Sequence, residues 1–395
     1  MKILVIAPSP FFSDRGTHIR ILEEAYALEA RGHDITIATY HIGKDLPQEL
    51  QSKIDVRRIR RLLFWYKKLE AGPDWQKIIL DLLLIKKAFF LARTQRPDII
   101  HGHLHEGVLI GWLVQKALFW RNIKLVGDYH GSLTKEMHSH GYLSIPPLPR
   151  VFRAIEKFIN NLGDRAVTSS WDNAEDINAV RTKNKVTVLP DGTRLRMFEN
   201  LTSKRELQKM YGIPEGKVVV TYTGALIPNK GIRYFLEALP LVAAKYESAH
   251  FVIAGFPVDQ IAEYLDKPVF KERATIISPL PYFDLPKILR LSDIGIDPKD
   301  PSVRQASGKT LQYMGAGIPT VVFDTENNRE YLGGSGTYAT EYNPESFAQA
   351  IGVLVESAEL REERGLEAHK RAEKFSWEHT ALLAEDIYKE LLDVK

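Results

Sequence analysis

The 395-residue chain contains no cysteine, which removes disulfides and thiolate metal sites and leaves nothing that asks for an oxidising compartment. It also lacks an apolar run of the roughly 18 residues a membrane-spanning helix needs. Its most apolar stretch, residues 78–92, is broken by Asp81, Lys86 and Lys87. The opening MKILVIAPSP holds a short apolar run from Ile3 to Ala7, too short for the core of an export signal and suited to a buried strand. A strong charge of one sign is missing as well: the formal net charge is +3, with 44% hydrophobic and 26% charged side chains. Disorder and a general polycation are therefore both unexpected. Two motif absences bear on chemistry. No three-glycine GxGxxG fingerprint follows a strand, which weakens a nicotinamide-dehydrogenase reading, and there is no Asp-x-Asp pair to hold a divalent metal. The sequence predicts a cytoplasmic protein of two globular domains with no cofactor and no metal.

What charge there is lies unevenly. Residues 1–200 carry 30 basic and 22 acidic side chains, residues 201–395 carry 23 and 28, and the segment 53–96, with 12 basic and 4 acidic, supplies the whole excess of the first half. Its core, RRIRRLLFWYKKLEAG (57–72), interleaves arginine and lysine with Leu62, Leu63, Phe64, Trp65 and Tyr66. Two readings stay open: the apolar half packs on the core while the cations are solvated, or the segment docks on an anionic membrane. Nucleic acid is not expected, because no recognition module surrounds the segment.

Along the chain, short apolar runs alternate with amphipathic helix-length segments. KILVIA (2–7) precedes a helix in which Ile21, Ala25 and Leu28 share a face, and DITIATY (34–40), DIIHGH (98–103), KLVGDYH (124–130) and RAVTSS (165–170) follow. Such alternation predicts β-α-β units around a parallel sheet. After KVTVLPDGTRLRMF (185–198) the pattern restarts at VVVTYT (218–223), runs through a helix built on Ile232, Phe235, Leu236 and Leu239, and continues with HFVIAG (250–255), DIGIDP (293–298) and PTVVFD (319–324). The prediction is two doubly wound α/β domains, 1–193 and 194–375, with a helix over about 376–395 packing back on the first. Open α/β sheets bind ligands beyond the carboxyl ends of their strands, so two of them in one chain favour a central cleft.

The motifs fall at those strand ends. Gly16 and Thr17 open the first helix, where backbone amides can hold an anion or a sugar hydroxyl. In TGALIPNKG (223–231), Gly224 and Lys230 lie between a strand and a helix start, a place suited to a diphosphate. Lys230 there can stabilise the charge that a departing nucleoside diphosphate gains. Ser307, Gly308 and Lys309 open another helix and a second candidate anion site. His130 ends a first-domain strand, well placed to hydrogen-bond a sugar hydroxyl.

Taken in order, these segments resemble the retaining glycosyltransferases of family 4 over nearly the whole chain. GTHIRILEEAYALEARGHDITIATY is similar to that family's glycine loop and first helix, SGKTLQYMGAGIPTVV to its lysine, glutamate and Ala-Gly-x-Pro signature, and FSWEHTALLAEDIY to its closing helix. The resemblance implies the GT-B fold, two Rossmann-like domains facing a cleft, the first binding acceptor and the second a nucleotide-diphosphate sugar. It implies catalytic roles for His130 and Lys230. It further implies a donor site of Gly16, Gly224, Lys230, Arg304, Ser307, Gly308, Lys309, Thr310 and Gln312, and acceptor contacts from Thr17 and Glu106. Three positions depart from the pattern: the usual arginine after the turn's glycine is Ala225, and the two glutamates are Arg304 and Gln312. Arg304 or Lys309 is expected to supply the missing charge, and Gln312 a ribose hydrogen bond. The implied reaction is sugar transfer with retention and without metal to a glycan or lipid-linked acceptor. A sugar-nucleotide binding protein without transfer activity and a nucleotide-sugar epimerase are the alternatives.

Overall fold

The structure, a computed structural model, describes residues 1–51, 53–69, 74–139, 147–303 and 305–393. The chain divides into two compact units, Met1–Pro190 with Trp377–Lys395, and Asp191–Ser376. Among the described residues no helix is long and apolar enough to cross a membrane.

The first unit carries β1 (Lys2–Ala7), β2 (Asp34–Thr39), β3 (Asp55–Arg58), β4 (Ile99–His103), β5 (Lys124–Tyr129), β6 (Arg165–Thr168) and β7 (Thr187–Val188). They pair in parallel in the order β3-β2-β1-β4-β5-β6-β7. The second carries β8 (Val218–Thr223), β9 (Ala249–Ala254), β10 (Ala274–Ile277), β11 (Ile294–Asp297), β12 (Thr320–Phe323) and β13 (Gly336–Ala339). These pair in parallel in the order β10-β9-β8-β11-β12-β13. Each sheet thus winds one way from its first strand and then the other. The reversal falls between β1 and β4 and between β8 and β11, and at such a switch point the loops leaving the two strands part and open a crevice.

Burial explains why these sequences make parallel strands. Both faces of a doubly wound sheet are covered by helices, so successive residues must be apolar although they point opposite ways. In β8, Val220 and Tyr222 join one buried cluster and Val219 the other. In β9, Phe251 and Ile253 face one way, Val252 and Ala254 the opposite. Helix boundaries follow local chemistry. Ser203 and Glu206 form a reciprocal capping box on Lys204–Tyr211, which ends at Gly212 with φ 66°, a left-handed position that glycine takes without a Cβ clash.

The closing helix, Trp377–Asp393, belongs to the first unit and packs beside Gly16–Ala30. Thr380 Oγ1 donates to the Pro190 carbonyl at 3.0 Å, and Tyr388 Oη lies 2.5 Å from His101 Nδ1. Glu385 is gripped by Lys389 at 2.6 Å and Arg31 at 2.5 Å. These bonds hold its carboxyl, ordinarily near 4.5, down to about 2.

The basic segment divides between two environments. Leu63 and Tyr66 are buried, and Arg58 donates to the carbonyls of Phe11, Ile42 and Lys44. Leu62, Phe64 and Trp65 are more than half exposed; residues 70–72 lie outside the described residues.

Two outcomes are expected. On one helix, Ile232–Lys245, Leu236 is 1% and Leu241 45% exposed. Leu236→Ala should cost about 2–5 kcal/mol in denaturant unfolding and Leu241→Ala within about 0.5. Because the folded-state affinity of Glu385 for a proton is depressed, its contribution to stability is full above about pH 4.5 and is lost as the pH falls toward 2. Glu385→Gln should flatten the acid limb of the wild-type stability curve over that window, and an unchanged limb would contradict the assignment.

Candidate active site

The residues singled out by sequence fall on both units. In the first, Gly16 opens the helix Gly16–Ala30 with Thr17 beside it. A Cβ at Gly16 would meet no protein atom within 4 Å, so no packing contact demands glycine and the space above it is open. Glu106 sits, half-buried, in the first turn of Leu104–Ala117, directly after β4. His130 follows β5, its side chain 11% exposed.

Behind His130 lies a buried polar network that the sequence reading did not single out. His101 and His103 alternate along β4, and His103 is in register with Asp128 on β5. Arg20 and Glu24, four apart on the facing helix, bring their charges to the same place. Arg20 Nε donates to Asp128 Oδ2 at 2.9 Å and its guanidinium also to the Leu189 carbonyl at 3.0 Å. His103 Nδ1 lies 3.2 Å from Asp128 Oδ2 and 3.1 Å from His130 Nε2. Burial alone would raise the Asp128 carboxyl, but Arg20, His130 and the hydrogen bonds from His101 and His103 hold it well below the usual range. Burial raises Glu24 against the pull of His101 and Arg20. Burial also lowers His101, yet Glu24 and Asp128 outweigh it and keep the imidazole above its ordinary value. His103 is pushed down to about 3 by burial and by its neighbour His101. His101 and His103, whose proton affinities are thus pushed in opposite directions, stack with rings 4.6 Å apart. The possible ligand atoms of Glu24, His101, His103 and Asp128 all lie within 4.8 Å of one another. That is a metal-sized cluster, in which Arg20 also brings a fixed positive charge to Asp128.

In the second unit β8 ends at Thr223 and the chain turns through Gly224, whose φ of 116° favours glycine, to Lys230 and Gly231. A Cβ at Gly231 would lie 1.6 Å from the Pro298 carbonyl oxygen. The turn is therefore held backbone to backbone against the loop leaving β11. Lys309, in the first turn of Gly308–Gly315, folds back rather than pointing outward: its Nζ is 3.5 Å from Asp297 Oδ1 and 3.8 Å above the Tyr222 ring. Thr310 is fully buried and donates to Asp297 Oδ2 at 3.0 Å, and Ser307 also bonds that carboxylate. Both hydroxyls thus act on the turn through Asp297. Burial pushes the Asp297 carboxyl up, but Lys309, Lys299 and the two hydroxyls outweigh it and keep the group ionised. Gln312 is buried, its carbonyl oxygen accepting from Thr193 Oγ1 at 3.2 Å. Gly308 has open space where a Cβ would be. Arg304 lies outside the described residues.

Lys299 was not singled out by sequence, although its position, two residues past the end of β11 in Asp-Pro-Lys-Asp, was the available signal. His103 and Asp128 carried a fainter one: ionisable side chains inside otherwise apolar strands. Asp128→Asn should remove the carboxylate charge nearest the buried Arg20, leaving Glu24 at 4.0 Å, and destabilise the fold by about 3–5 kcal/mol in equilibrium unfolding; a loss below about 1 kcal/mol would show that the network is not held by Asp128.

Comparison with known proteins bears on the fold and the family. The model of Glycosyltransferase Family 4 matches residues 15–196, and that of Glycosyl transferases group 1 matches residues 217–357. A D-inositol 3-phosphate glycosyltransferase of Corynebacterium glutamicum is 23% identical over 95% of this chain and 92% of its own. An uncharacterised glycosyltransferase of Methanocaldococcus jannaschii is 23% identical over 98% of both. Among solved structures, sucrose-phosphate synthase from Thermosynechococcus elongatus superposes with TM-score 0.81 at 16% identity over 100% of both chains. HepE of Anabaena, in complex with UDP-glucose, does so with TM-score 0.76 at 16% identity over 99% of this chain and 100% of its own. Two parallel sheets, each doubly wound, and two family models that together span most of the sequence lead to one conclusion: the chain belongs to the family 4 glycosyltransferases and has the GT-B fold.

Proposed function

We propose that this glycosyltransferase moves a sugar from a nucleotide-diphosphate donor to an acceptor hydroxyl with retention of anomeric configuration and without a metal ion. The observation that carries the donor side is the turn Thr223–Gly231, which holds Lys230 and the Lys309 ammonium at the switch point of the second sheet. Cations fixed there stabilise the charge that develops on the diphosphate as the anomeric bond breaks, the largest single contribution such a site can make. A neighbour of the same fold solved with UDP-glucose supports a nucleotide sugar as donor. In the retaining reaction the acceptor oxygen bonds to the anomeric carbon on the face the diphosphate leaves. The acceptor's proton passes to the departing diphosphate, so no protein base is required. His130, held by His103 and Asp128, is assigned to a hydroxyl of the transferred sugar. Gly16, Thr17 and Glu106, at the starts of the helices that follow β1 and β4, are assigned to the ligands.

The acceptor is proposed to be lipid-linked and presented at an anionic membrane surface. Leu62, Phe64 and Trp65 are exposed beside Arg60, Arg61 and Lys67, and the next helix, Trp75–Gln95, turns Trp75, Ile78, Leu82 and Phe90 outward. A basic, aromatic and apolar face of this kind binds anionic lipid headgroups while burying its apolar residues at the interface.

Lys230→Ala should lower kcat/KM for sugar transfer by about 100-fold or more with an unchanged unfolding midpoint, and turnover should persist in EDTA. Wild-type transfer by the variant would remove the turn from the mechanism, and an absolute metal requirement would contradict the proposed chemistry. Membrane docking is checked by flotation: the protein should rise with phosphatidylglycerol vesicles at low salt and stay behind with phosphatidylcholine vesicles.

A further inference from the structure

Three lysines from three separate segments of the second unit meet at its switch point. Lys230 and Lys299 flank a direct backbone contact, that between Gly231 and Pro298. Lys309 reaches the other end of the same turn, its Nζ 3.7 Å from where a Cβ of Gly224 would be. Lys299 Nζ donates to the Ala306 carbonyl at 2.5 Å, which ties the loop after β11 to the start of Gly308–Gly315. Asp297, which Lys309 shares, and more weakly Asp191 act on Lys299 as counter-charges.

We propose that Lys299 takes the place of the arginine that Ala225 replaces, acting as a third cation on the donor diphosphate alongside Lys230 and Lys309. This rests on the reading of the turn as the donor site. An ammonium has three donors and no fixed fork, so a lysine entering from a different loop can serve a phosphate oxygen. A consequence follows for protons. Burial pushes Lys299 well below the ordinary lysine range; Lys230 and, less strongly, Lys309 add to this, while Asp297 and Asp191 oppose it. A bound diphosphate reverses that balance and raises the proton affinity of Lys299, so binding takes up a proton and weakens as the pH rises.

The test is calorimetric titration with UDP, ADP and GDP, each in two buffers of different ionisation heat. It is run at about pH 8, where a terminal phosphate with its second ionisation near 6 is already fully charged. Wild type should bind at least one of the three with net proton uptake. Lys299→Met should bind it about 10- to 100-fold more weakly with the uptake gone, and Lys299→Arg, which stays charged, should bind without uptake. Wild-type affinity and uptake in Lys299→Met would overturn the role of Lys299 while leaving the donor site intact. Failure of wild type to bind any of the three would overturn the donor-site reading and this inference with it. If Lys299→Met does not fold, Lys299→Arg decides: uptake lost supports the proposal and uptake kept overturns it.

Discussion

Crowding of like charge around one buried carboxylate governs the second unit. Asp297 is 1% exposed and must answer both Lys309 and Lys299. Burial, Lys230 and Lys309 all work against the charge on Lys299, so the arrangement persists only because other contacts fix it. Thr310 and Ser307 hold the carboxylate, the Tyr222 ring lies under the Lys309 ammonium, and the two loops meet backbone to backbone at Gly231. On the proposed reading of the turn, the donor diphosphate, whose charge grows during reaction, is the anion these lysines meet.

The first unit handles buried charge in the opposite way. Arg20 and His101 answer Glu24 and Asp128 within the protein, and Tyr388 of the closing helix caps His101. Buried ionisable groups of opposite charge packed this closely are costly to disrupt from either side. The outermost member of the network is His130, reached through the ring of His103. The closing helix thereby contributes to the ordering of a residue at the far end of the sequence's first sheet.

Much of this was legible in the sequence because it depends on short-range pattern. VVVTYT at 218–223 coincides with β8, and Ile232, Phe235, Leu236 and Leu239 are all buried. Gly224 and Lys230 lie in the turn after that strand. The strands that escaped notice, β3, β10 and β13, are four residues each and only partly buried, so their apolar signal is weak and their identity comes from the neighbours they pair with. The polar network escaped for a related reason. Arg20 and Asp128 are 108 positions apart and His101 and Tyr388 are 287 apart, and nothing local in either segment announces a partner. The bonds of Thr310 to Asp297 and of Gln312 to Thr193 join separate segments of the chain and could not be read from either segment alone.

The central claim is that the lysine-lined turn of the second unit is where the donor's diphosphate sits. A crystal structure of the protein with a bound nucleoside diphosphate tests it most directly. The account predicts phosphate oxygens within hydrogen-bonding distance, about 2.7–3.2 Å, of Lys230 and of at least one of Lys299 and Lys309, over the turn at Gly224. A diphosphate bound anywhere else, or bound at that turn with all three ammonium groups directed away from it, would contradict the account.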